Sequence, residues 1–402
     1  MMKFLIYFTA LLLTYFVYGF YISQVDDSII PIELKPENPP GFYDYRGISN
    51  IQTSRANGSS TPEEIISDAK AAGLDFVILT DRNKTEIPMN SNGYHGSLLV
   101  MDEGEYLFLD SRLILLSNNH QNLPTDSNDY SIYFTDLLSQ KWSPNGEQLT
   151  ILAHPFSSGP TWTGPYPTGL DGIEILNPKS ISKKAWDRSK FNVIWSFISY
   201  PFNPRFAFLR LFREPIDETS LWDQLSKGRS TWGFAGADAN ARAIPLANYL
   251  IKFPSYAMSF GIFSNHILLP TELTGNYEKD RQKIYTALKN GQFYTALDLL
   301  GDPKGFIAKI EDKDESYLMG SKIKMKKGLK LFARLPIEPK DFYEIVVFKD
   351  GDHVFTTNSP ELKFEIKSPG VYRILVRVSP SLPIPDGKKW VSWIYTNPFY
   401  VD

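Results

Sequence analysis

Four short stretches of the sequence place polar side chains where strands are predicted to end. They are residues 46–54, 79–83, 153–155 and 236–240, and they contain Asn50, Gln52, Asp81, Arg82, His154, Asp238 and Asn240. In an α/β barrel the C-terminal ends of the strands meet at one mouth, where the active sites of that fold lie. We therefore expect these side chains to converge on one polar site, at which carboxylate and imidazole groups could bind a metal ion.

The composition limits the chemistry that such a site can perform. The chain has no cysteine, which excludes thiolate metal sites, cysteine nucleophiles and disulfides. Any metal must therefore use carboxylate or amide oxygens and the five histidines of the chain. Lysine and arginine number 42 against 45 acidic residues, and this balance offers no basic surface for nucleic acid.

The order and spacing of several motifs resemble the PHP (polymerase and histidinol phosphatase) family of metallohydrolases. The matching positions are Asn50 with Gln52, Thr61-Pro62-Glu63-Glu64, residues 71–75, residues 80–83, His154-Pro155 and residues 236–240. The resemblance covers residues 43 to about 298 and is most specific between Thr61 and Asn83. It implies a distorted TIM-type α/β barrel whose phosphoesterase site holds up to three divalent metals through histidines and carboxylates.

This sequence departs from the family pattern at most of the implied ligands. Asn50, Gln52, Arg82 and Asn240 stand where the family has histidine. Neutral amides are poor ligands for zinc-like metals, and the permanent charge of Arg82 repels a cation. The remaining candidate ligands are Asp81, Glu105, His154 and Asp238, with Glu103 as the alternative to Glu105.

Two functions are compatible with this degenerate site. The first is a pseudoenzyme that binds a small molecule or phosphoester, or acts as a scaffold, and needs no cofactor. In it, Arg82 replaces the charge of the metal by bridging Asp81 to Asp238 or Glu105. The alternative is a phosphoesterase that retains one divalent metal (Zn, Mn or Fe) and uses its bound water as the nucleophile. Without any ligand, His154 and the aspartates could also serve as hydrogen-bonding and capping residues.

Apolar runs and helix signals predict the elements that hold these residues. Residues 76–79, 149–153 and 172–176 are short apolar runs, typical of buried strands. Residues 61–72 have a capping threonine, an early proline and acidic residues in the first turn, and Gly73 follows them. This alternation predicts parallel strands covered by helices.

After about residue 303 the pattern changes to strands spaced like hairpins. Residues 343–348, 362–366 and 372–378 are predicted strands, and Asp350-Gly351 and Pro369-Gly370 are predicted turns. We interpret residues 303–402 as a small β-sandwich, whose protein partner the sequence does not name. Residues 393–398 also resemble the last strand of exported PHP proteins that carry such a domain.

The N-terminal segment predicts a membrane anchor. Residues 4–22 are nearly continuously apolar and long enough to cross a bilayer. Lys3 before the segment and Asp26 after it place the N-terminus in the cytoplasm and the globular part outside it, in the periplasm. Bulky side chains at residues 17–22 favour an uncleaved anchor over a cleaved signal peptide or a buried soluble helix.

These features divide the chain into an anchor (1–24), a proline-rich linker (25–41) that holds the globular part away from the membrane, a PHP-like barrel (42–302) and a sandwich (303–402). Residues 191–213 combine many aromatic side chains with Arg205, Arg210 and Arg213. They fit either a helical insertion buried against the barrel or a segment at the membrane interface.

Overall fold

The computed structural model describes residues 2–26, 28–30, 37–82, 91–109, 111–117, 129–139, 148–156, 162–246, 249–313 and 315–402. The helices are α1 (Met2–Ser23), α2 (Pro62–Ala71), α3 (Asp129–Ser139), α4 (Pro178–Arg188), α5 (Lys190–Ser199), α6 (Pro204–Leu211), α7 (Ile216–Gly228), α8 (Tyr256–Phe260) and α9 (Tyr277–Lys289). The first strands are β1 (Tyr43–Ile51), β2 (Phe76–Arg82), β3 (Gly93–His95), β4 (Leu98–Phe108), β5 (Ser111–Ser117), β6 (Gln148–Ala153), β7 (Gly172–Leu176), β8 (Trp232–Ala239), β9 (Arg242–Leu246), β10 (Tyr249–Phe253), β11 (Phe263–Leu269) and β12 (Phe293–Leu297). The later strands are β13 (Ile307–Asp312), β14 (Glu315–Leu318), β15 (Lys322–Ile323), β16 (Lys330–Arg334), β17 (Phe342–Lys349), β18 (Asp352–Thr357), β19 (Glu361–Glu365), β20 (Gly370–Ser379), β21 (Ser381–Leu382), β22 (Gly387–Lys388), β23 (Val391–Thr396) and β24 (Phe399–Val401).

Seven strands close into a barrel in the order β1, β2, β4, β5, β6, β7, β8, with β8 pairing back onto β1. The pairs are parallel except for β4 with β5 and β5 with β6, which are antiparallel. The predicted mixed α/β barrel is therefore confirmed. Because most strands run in one direction, the ends of β1, β2, β6, β7 and β8 open at the same mouth.

Helix α2 begins and ends where the sequence predicts. The side chain of Thr61 accepts a hydrogen bond from the backbone of Glu64, the side chain of Glu64 accepts one in return, and Gly73 has a φ of 72°. This capping box satisfies backbone N–H groups that the first turn leaves unpaired. Ile65 and Ala69 are buried in the barrel core, so the helix orients the β1–α2 and α2–β2 connections at its two ends.

The C-terminal strands continue the sheet of the barrel. Strand β11 pairs with β1, β12 with β11, and β23 with β12, which joins β20, β17, β18, β24 and β15 to the same sheet. A second sheet has the order β14, β13, β16, β19. Residues of both sheets, such as Leu331 and Ile374, belong to one hydrophobic cluster. Two facing sheets with a shared core would suit a sandwich, and the sandwich domain stays a prediction.

The structure corrects one of the predicted hairpins. Asp350 and Gly351 form the predicted turn, and it connects β17 to β18. Pro369-Gly370 does not close a hairpin, because β19 pairs with β16 whereas β20 pairs with β17. The alternating pattern predicts a strand and its buried face, but it does not identify the neighbouring strand.

Helix α1 is long and apolar enough to cross a membrane, and most of its side chains are exposed. Its C-terminal end contacts the globular part, where Ile22 is buried and its carbonyl accepts a hydrogen bond from the Asn203 side chain. In the predicted linker, Ile29 is fully buried and its N–H donates to the Leu300 carbonyl. Residue 29 of the predicted linker therefore packs on the globular part, because its apolar side chain fills a space in the core. The linker as a whole stays a prediction. Residues 31–36 lie outside the described residues.

The aromatic segment 191–213 folds into the hairpin of α5 and α6. Val193, Phe206 and Leu209 are buried, whereas Phe191 and Phe197 on α5 are exposed. One face of the segment packs on the protein, as expected for a helical insertion buried against the barrel. Its outer face is apolar and exposed, as expected for a segment at the membrane interface.

Candidate functional site

The ends of the barrel strands bring most of the predicted site residues together around His154. The Glu105 Oε1 and Asp238 Oδ1 atoms lie 4.0 and 3.7 Å from its Nε2, and the Glu174 Oε2 atom lies 3.7 Å from its Nδ1. Gln52 and Arg82 are connected to this group by hydrogen bonds to Glu105, and Asn50 is connected to it by a hydrogen bond to Glu174. Two predicted residues lie elsewhere. Asp81 accepts a hydrogen bond from Thr53, and Asn240 lines an adjoining cavity.

Glu105 is surrounded by groups that neutralise its charge. Its Oε2 accepts hydrogen bonds from Gln52 Nε2 at 2.8 Å and from Arg82 Nε at 3.0 Å. A second guanidinium, that of Arg112, lies 3.7 Å from Oε1. Hydrogen bonds to an ionised carboxylate are stronger than neutral ones. The predicted contact between Arg82 and Glu105 is present.

Asp81 is held by a different partner from the one predicted. Its two carboxylate oxygens accept hydrogen bonds from the backbone N–H of Thr53 at 2.6 Å and from the Thr53 hydroxyl at 2.7 Å. Asp81 therefore fixes the chain that leaves β1, whereas the described ion pair of Arg82 is with Glu105. Neighbouring residues of a strand point to opposite faces, which separates the Asp81 carboxylate from the Arg82 guanidinium.

Glu103 lies outside the mouth. It forms an ion pair with Arg281 of α9 at 2.6 Å and accepts a hydrogen bond from the Ser117 N–H at 3.1 Å. Burial raises its pKa to about 7. Of the two acidic residues considered from the sequence, Glu105 is the one in the site.

Glu174 is a central residue of the site that sequence reasoning missed. It is buried on β7 and accepts hydrogen bonds from Asn50 Nδ2 at 2.8 Å, from Asn177 Nδ2 at 3.1 Å and from the His154 N–H at 3.3 Å. Burial raises its pKa to about 8, so the carboxyl group is mostly protonated at neutral pH. The available signal was an acidic residue in the middle of the otherwise apolar strand Gly172–Leu176.

His154 is neutral and has free hydrogen-bonding capacity. Burial lowers its pKa to about 4. In the part of the chain that the structure describes, neither ring nitrogen has a hydrogen-bond partner, and Asn50 Oδ1, Gln52 Oε1 and Glu105 Oε1 also lack one. Buried polar atoms are normally paired, so a group of unpaired atoms indicates a place for water or a ligand.

Three residues of the mouth have a left-handed backbone. Asn50, His154 and Asp238 have φ values of 63°, 51° and 42°. Such conformations are uncommon for residues with a side chain and cluster at functional sites. Close by, a Cβ added to Gly236 would lie 1.9 Å from Glu174 Oε1, so a larger residue there would require the carboxyl group or the strand to move.

The residues present do not fit a multinuclear metal cluster. No group of three or more histidine, aspartate or glutamate side chains in the described ranges is arranged to hold a metal ion. The carboxylate oxygens already accept hydrogen bonds from other side chains. Gln52 and Arg82 donate to Glu105 Oε2. Asn50 and Asn177 donate to Glu174, and Thr53 donates to Asp81. Amide and guanidinium groups thus occupy carboxylate oxygens that metals would need.

Comparison with known proteins finds solved structures of low similarity to this chain. No protein-family profile and no curated protein matches this sequence. A two-domain protein from Bacteroides vulgatus containing a predicted PHP-like metal-dependent phosphoesterase superposes with a TM-score of 0.35 and 12% identity, covering 90% of this chain and 99% of that one. A proposed metal-dependent phosphoesterase from Bifidobacterium adolescentis gives 0.29 and 10%, covering 55% and 94%. Both TM-scores are below 0.5, so neither likeness carries an argument about the function of this chain.

Proposed function

We propose that this chain is a membrane-tethered pseudoenzyme whose barrel mouth binds a small phosphoester without hydrolysing it. The observation that carries the proposal is the set of contacts to Glu105. Gln52 and Arg82 both donate to one oxygen of this buried carboxylate, at 2.8 and 3.0 Å. A metal ion at that oxygen would have to displace an amide and a guanidinium that is always charged.

The balance of charge supports a site that needs no metal. The guanidinium groups of Arg82 and Arg112 both lie beside the Glu105 carboxylate, and the Lys179 ammonium lies 3.9 Å from Asp238. Glu174 adds little charge at neutral pH because burial raises its pKa to about 8. The mouth thus lacks the excess of negative charge that several divalent cations would require.

The unpaired groups indicate the type of ligand. Arg112 NH1 is a buried cationic donor without a hydrogen bond, and Asn50 Oδ1 and Gln52 Oε1 are buried acceptors without one, among the described residues. Cationic donors suit a phosphate group, and amide acceptors suit hydroxyl groups. A hydroxylated phosphoester such as glycerol 3-phosphate combines both.

The proposed location follows from α1. This 22-residue apolar helix would act as an uncleaved anchor, with Lys3 on the cytoplasmic side and the barrel on the periplasmic side. The C-terminal strands would form a sandwich domain available to a protein partner.

Metal content and ligand binding test the proposal. The full-length chain, purified in detergent, should contain far less than stoichiometric zinc, manganese or iron, and glycerol 3-phosphate should raise its Tm and be recovered intact. Arg112→Met should abolish the rise in Tm, whereas Arg188→Met on the exposed face of α4 should keep it. The absence of any rise in the wild-type protein would contradict the binding function.

A single-metal phosphoesterase is the second candidate. It is favoured by the unpaired nitrogens of His154 and by the Glu105 and Asp238 oxygens within 4.0 Å of them. One tightly held ion per chain, together with hydrolysis of glycerol 3-phosphate that His154→Ala abolishes, would establish this function and overturn the pseudoenzyme.

A further inference from the structure

A cavity of about 360 Å³ adjoins the barrel mouth between α4, α5, α6 and β8. The side formed by α4 and β8, here called the polar end, contributes Lys179 and Asp238, and Asn240 follows β8 on the same side. The side formed by α5 and α6, here called the apolar end, contributes mainly apolar side chains, those of Val193, Phe197, Ala207, Phe208 and Leu211. A space with one polar and one apolar end matches an amphiphilic ligand better than a small polar one.

The apolar wall of this cavity is attached to the anchor helix. The rings of Tyr18 and Trp195 lie 5.4 Å apart, and those of Tyr15 and Phe202 lie 5.0 Å apart. The Ile22 carbonyl accepts a hydrogen bond from Asn203 at 3.1 Å. If α1 crosses the bilayer, as proposed above, these contacts hold α5 and α6 at the surface of that bilayer.

The outer face of α5 is suited to the same surface. Phe191, Ile194 and Phe197 are 64%, 51% and 54% exposed, and the exposed cations of Arg188 and Lys190 lie next to them in the chain. Exposed apolar side chains flanked by basic residues are typical of helices that lie in the headgroup region. Phe197 also lines the cavity, so the apolar end of the cavity lies beside the lipid-facing surface.

We infer that the cavity holds an acyl chain of a membrane phospholipid whose hydroxylated, phosphate-containing head group lies at the barrel mouth. This inference rests on the proposed function and names its ligand. Lys179, whose Nζ is only loosely paired with Asp238 at 3.9 Å, stands where the phosphate would meet the polar end. The continuity of the cavity wall with α1 makes the bilayer the source of the ligand.

A photoactivatable phosphatidylglycerol with a diazirine on its acyl chain tests the inference. The full-length chain is reconstituted in nanodiscs that contain the probe, irradiated and mapped by peptide mass spectrometry. We expect cross-links to α6 at Ala207 and Leu211, which face the cavity, in addition to the background on α1. Cross-links confined to α1 and to the exposed face of α5 would overturn the inference.

Cavity-filling variants provide the matched comparison. Ala207→Trp should reduce the cross-links on α6 by about tenfold while those on α1 stay unchanged, because the new ring occupies the space of the acyl chain. Ile194→Trp adds a ring of the same size outside the cavity and should change neither. Should Ala207→Trp fail to fold by circular dichroism, Leu211→Trp serves the same purpose. Unchanged cross-links on α6 in a folded filled variant would reject the assignment.

The head group is tested separately. Lys179→Met should lower the α6 cross-links of phosphatidylglycerol but not those of a diacylglycerol probe, which has no phosphate. Equal loss or equal retention for both probes would refute the contact between phosphate and Lys179. The two proposals fail differently: hydrolysis of the head group would refute the pseudoenzyme and leave the cavity assignment, whereas a missing α6 cross-link would leave glycerol 3-phosphate binding unaffected.

Discussion

Glu105 is the residue of the barrel mouth on which an amide and two guanidinium groups converge. This buried carboxylate accepts hydrogen bonds from the amide of Gln52, which directly follows β1, and from the guanidinium of Arg82 at the end of β2. The resemblance implies histidines at both positions. The guanidinium places a positive charge beside this buried carboxylate, which offsets part of the cost of burying it. Arg112 approaches from β5 as a second cation, which makes Arg82 important but not the only source of charge.

Replacement of Arg82 tests this account. Arg82→Ala should lower the free energy of unfolding by about 2 kcal/mol, because Glu105 loses a charged hydrogen bond but keeps those from Gln52 and its contact with Arg112. Thermal unfolding in detergent measures the effect, with Arg188→Ala on exposed α4 as the control. An unchanged Tm for Arg82→Ala would show that Arg82 is not what stabilises Glu105.

Glu174 should make stability depend on pH. Its pKa is about 8 in the folded chain against an ordinary value of 4.5, so between these values the folded state holds a proton that the unfolded state releases. The free energy of unfolding must then fall as the pH rises from about 5 to 8. Glu174→Gln should remove this contribution, which is on the order of 3 kcal/mol.

The comparison is made on the difference in Tm between wild type and Glu174→Gln at pH 5 and pH 8.5. The amide can be accommodated because Asn50 can turn its unpaired Oδ1 towards the new N–H group. Other buried acids, such as Glu103, change the Tm of both proteins with pH to the same extent, so their effect cancels in the difference. Parallel Tm curves for the two proteins would mean that Glu174 is ionised in the folded chain.

The sequence allowed the strand-end residues to be predicted but not all of their partners. Asn50, Gln52, Arg82 and His154 could be found because they lie at or directly after the ends of strands, at recognisable spacings. Arg112 and Lys179 could not, because a cation on a strand or at a helix start usually faces water and only the fold turns these two towards the mouth.

Among the elements, β8 sets the space around Glu174. Gly236 lies so close to it that a Cβ would come within 1.9 Å of Oε1. Gly236→Ala should therefore destabilise the chain by about 2 kcal/mol or more, since the strand or the carboxyl group must move. The matched control is Gly228→Ala at the end of α7, where a Cβ meets nothing within 4 Å, and thermal unfolding compares the two.

A double variant identifies the cause of that loss. Glu174→Ala should remove the clash, so the double variant should lose less stability than the sum of the single ones. Strictly additive losses would place the strain of Gly236→Ala elsewhere. Either result also tests whether β7 and β8 form the rigid wall of the site.

The elements were more predictable than their neighbours in the sheet. Helix α2 and strands β2, β6 and β7 follow from caps and apolar runs, which are local signals. The pairing of β19 with β16 rather than with β20 depends on side chains that come together only in the folded chain, such as Leu331 and Leu362 in the common core. Local pattern carries no information on such long-range partners.

At the scale of the whole molecule, the barrel and the C-terminal strands share one sheet. Strand β23 pairs with β12. Arg373 of β20 forms a bidentate ion pair with Asp223 of α7, with N–O distances of 2.6 and 2.7 Å. The division of the chain at residue 303 stays a prediction. Connections this extensive predict that residues 42–302 and 303–402 unfold together, whichever way the domains are drawn.

Asn397 is the residue at which this coupling is best tested. Its Oδ1 accepts a hydrogen bond from the Gly233 N–H of β8 at 2.8 Å, and its Nδ2 donates to the Phe293 carbonyl of β12 at 3.0 Å. Asn397→Ala should leave two buried backbone groups unpaired, at a cost of about 2–4 kcal/mol. Because β8 also carries Asp238, the loss should spread to the barrel mouth, and differential scanning calorimetry should show one transition shifted to lower temperature.

The control is Asn358→Ala, at an exposed residue of the β18–β19 loop, and it should leave the temperature of the transition unchanged. A second, separate transition in Asn397→Ala, with the transition of the barrel unmoved, would mean that the C-terminal strands fold as an independent unit and that the shared sheet does not couple them to the site.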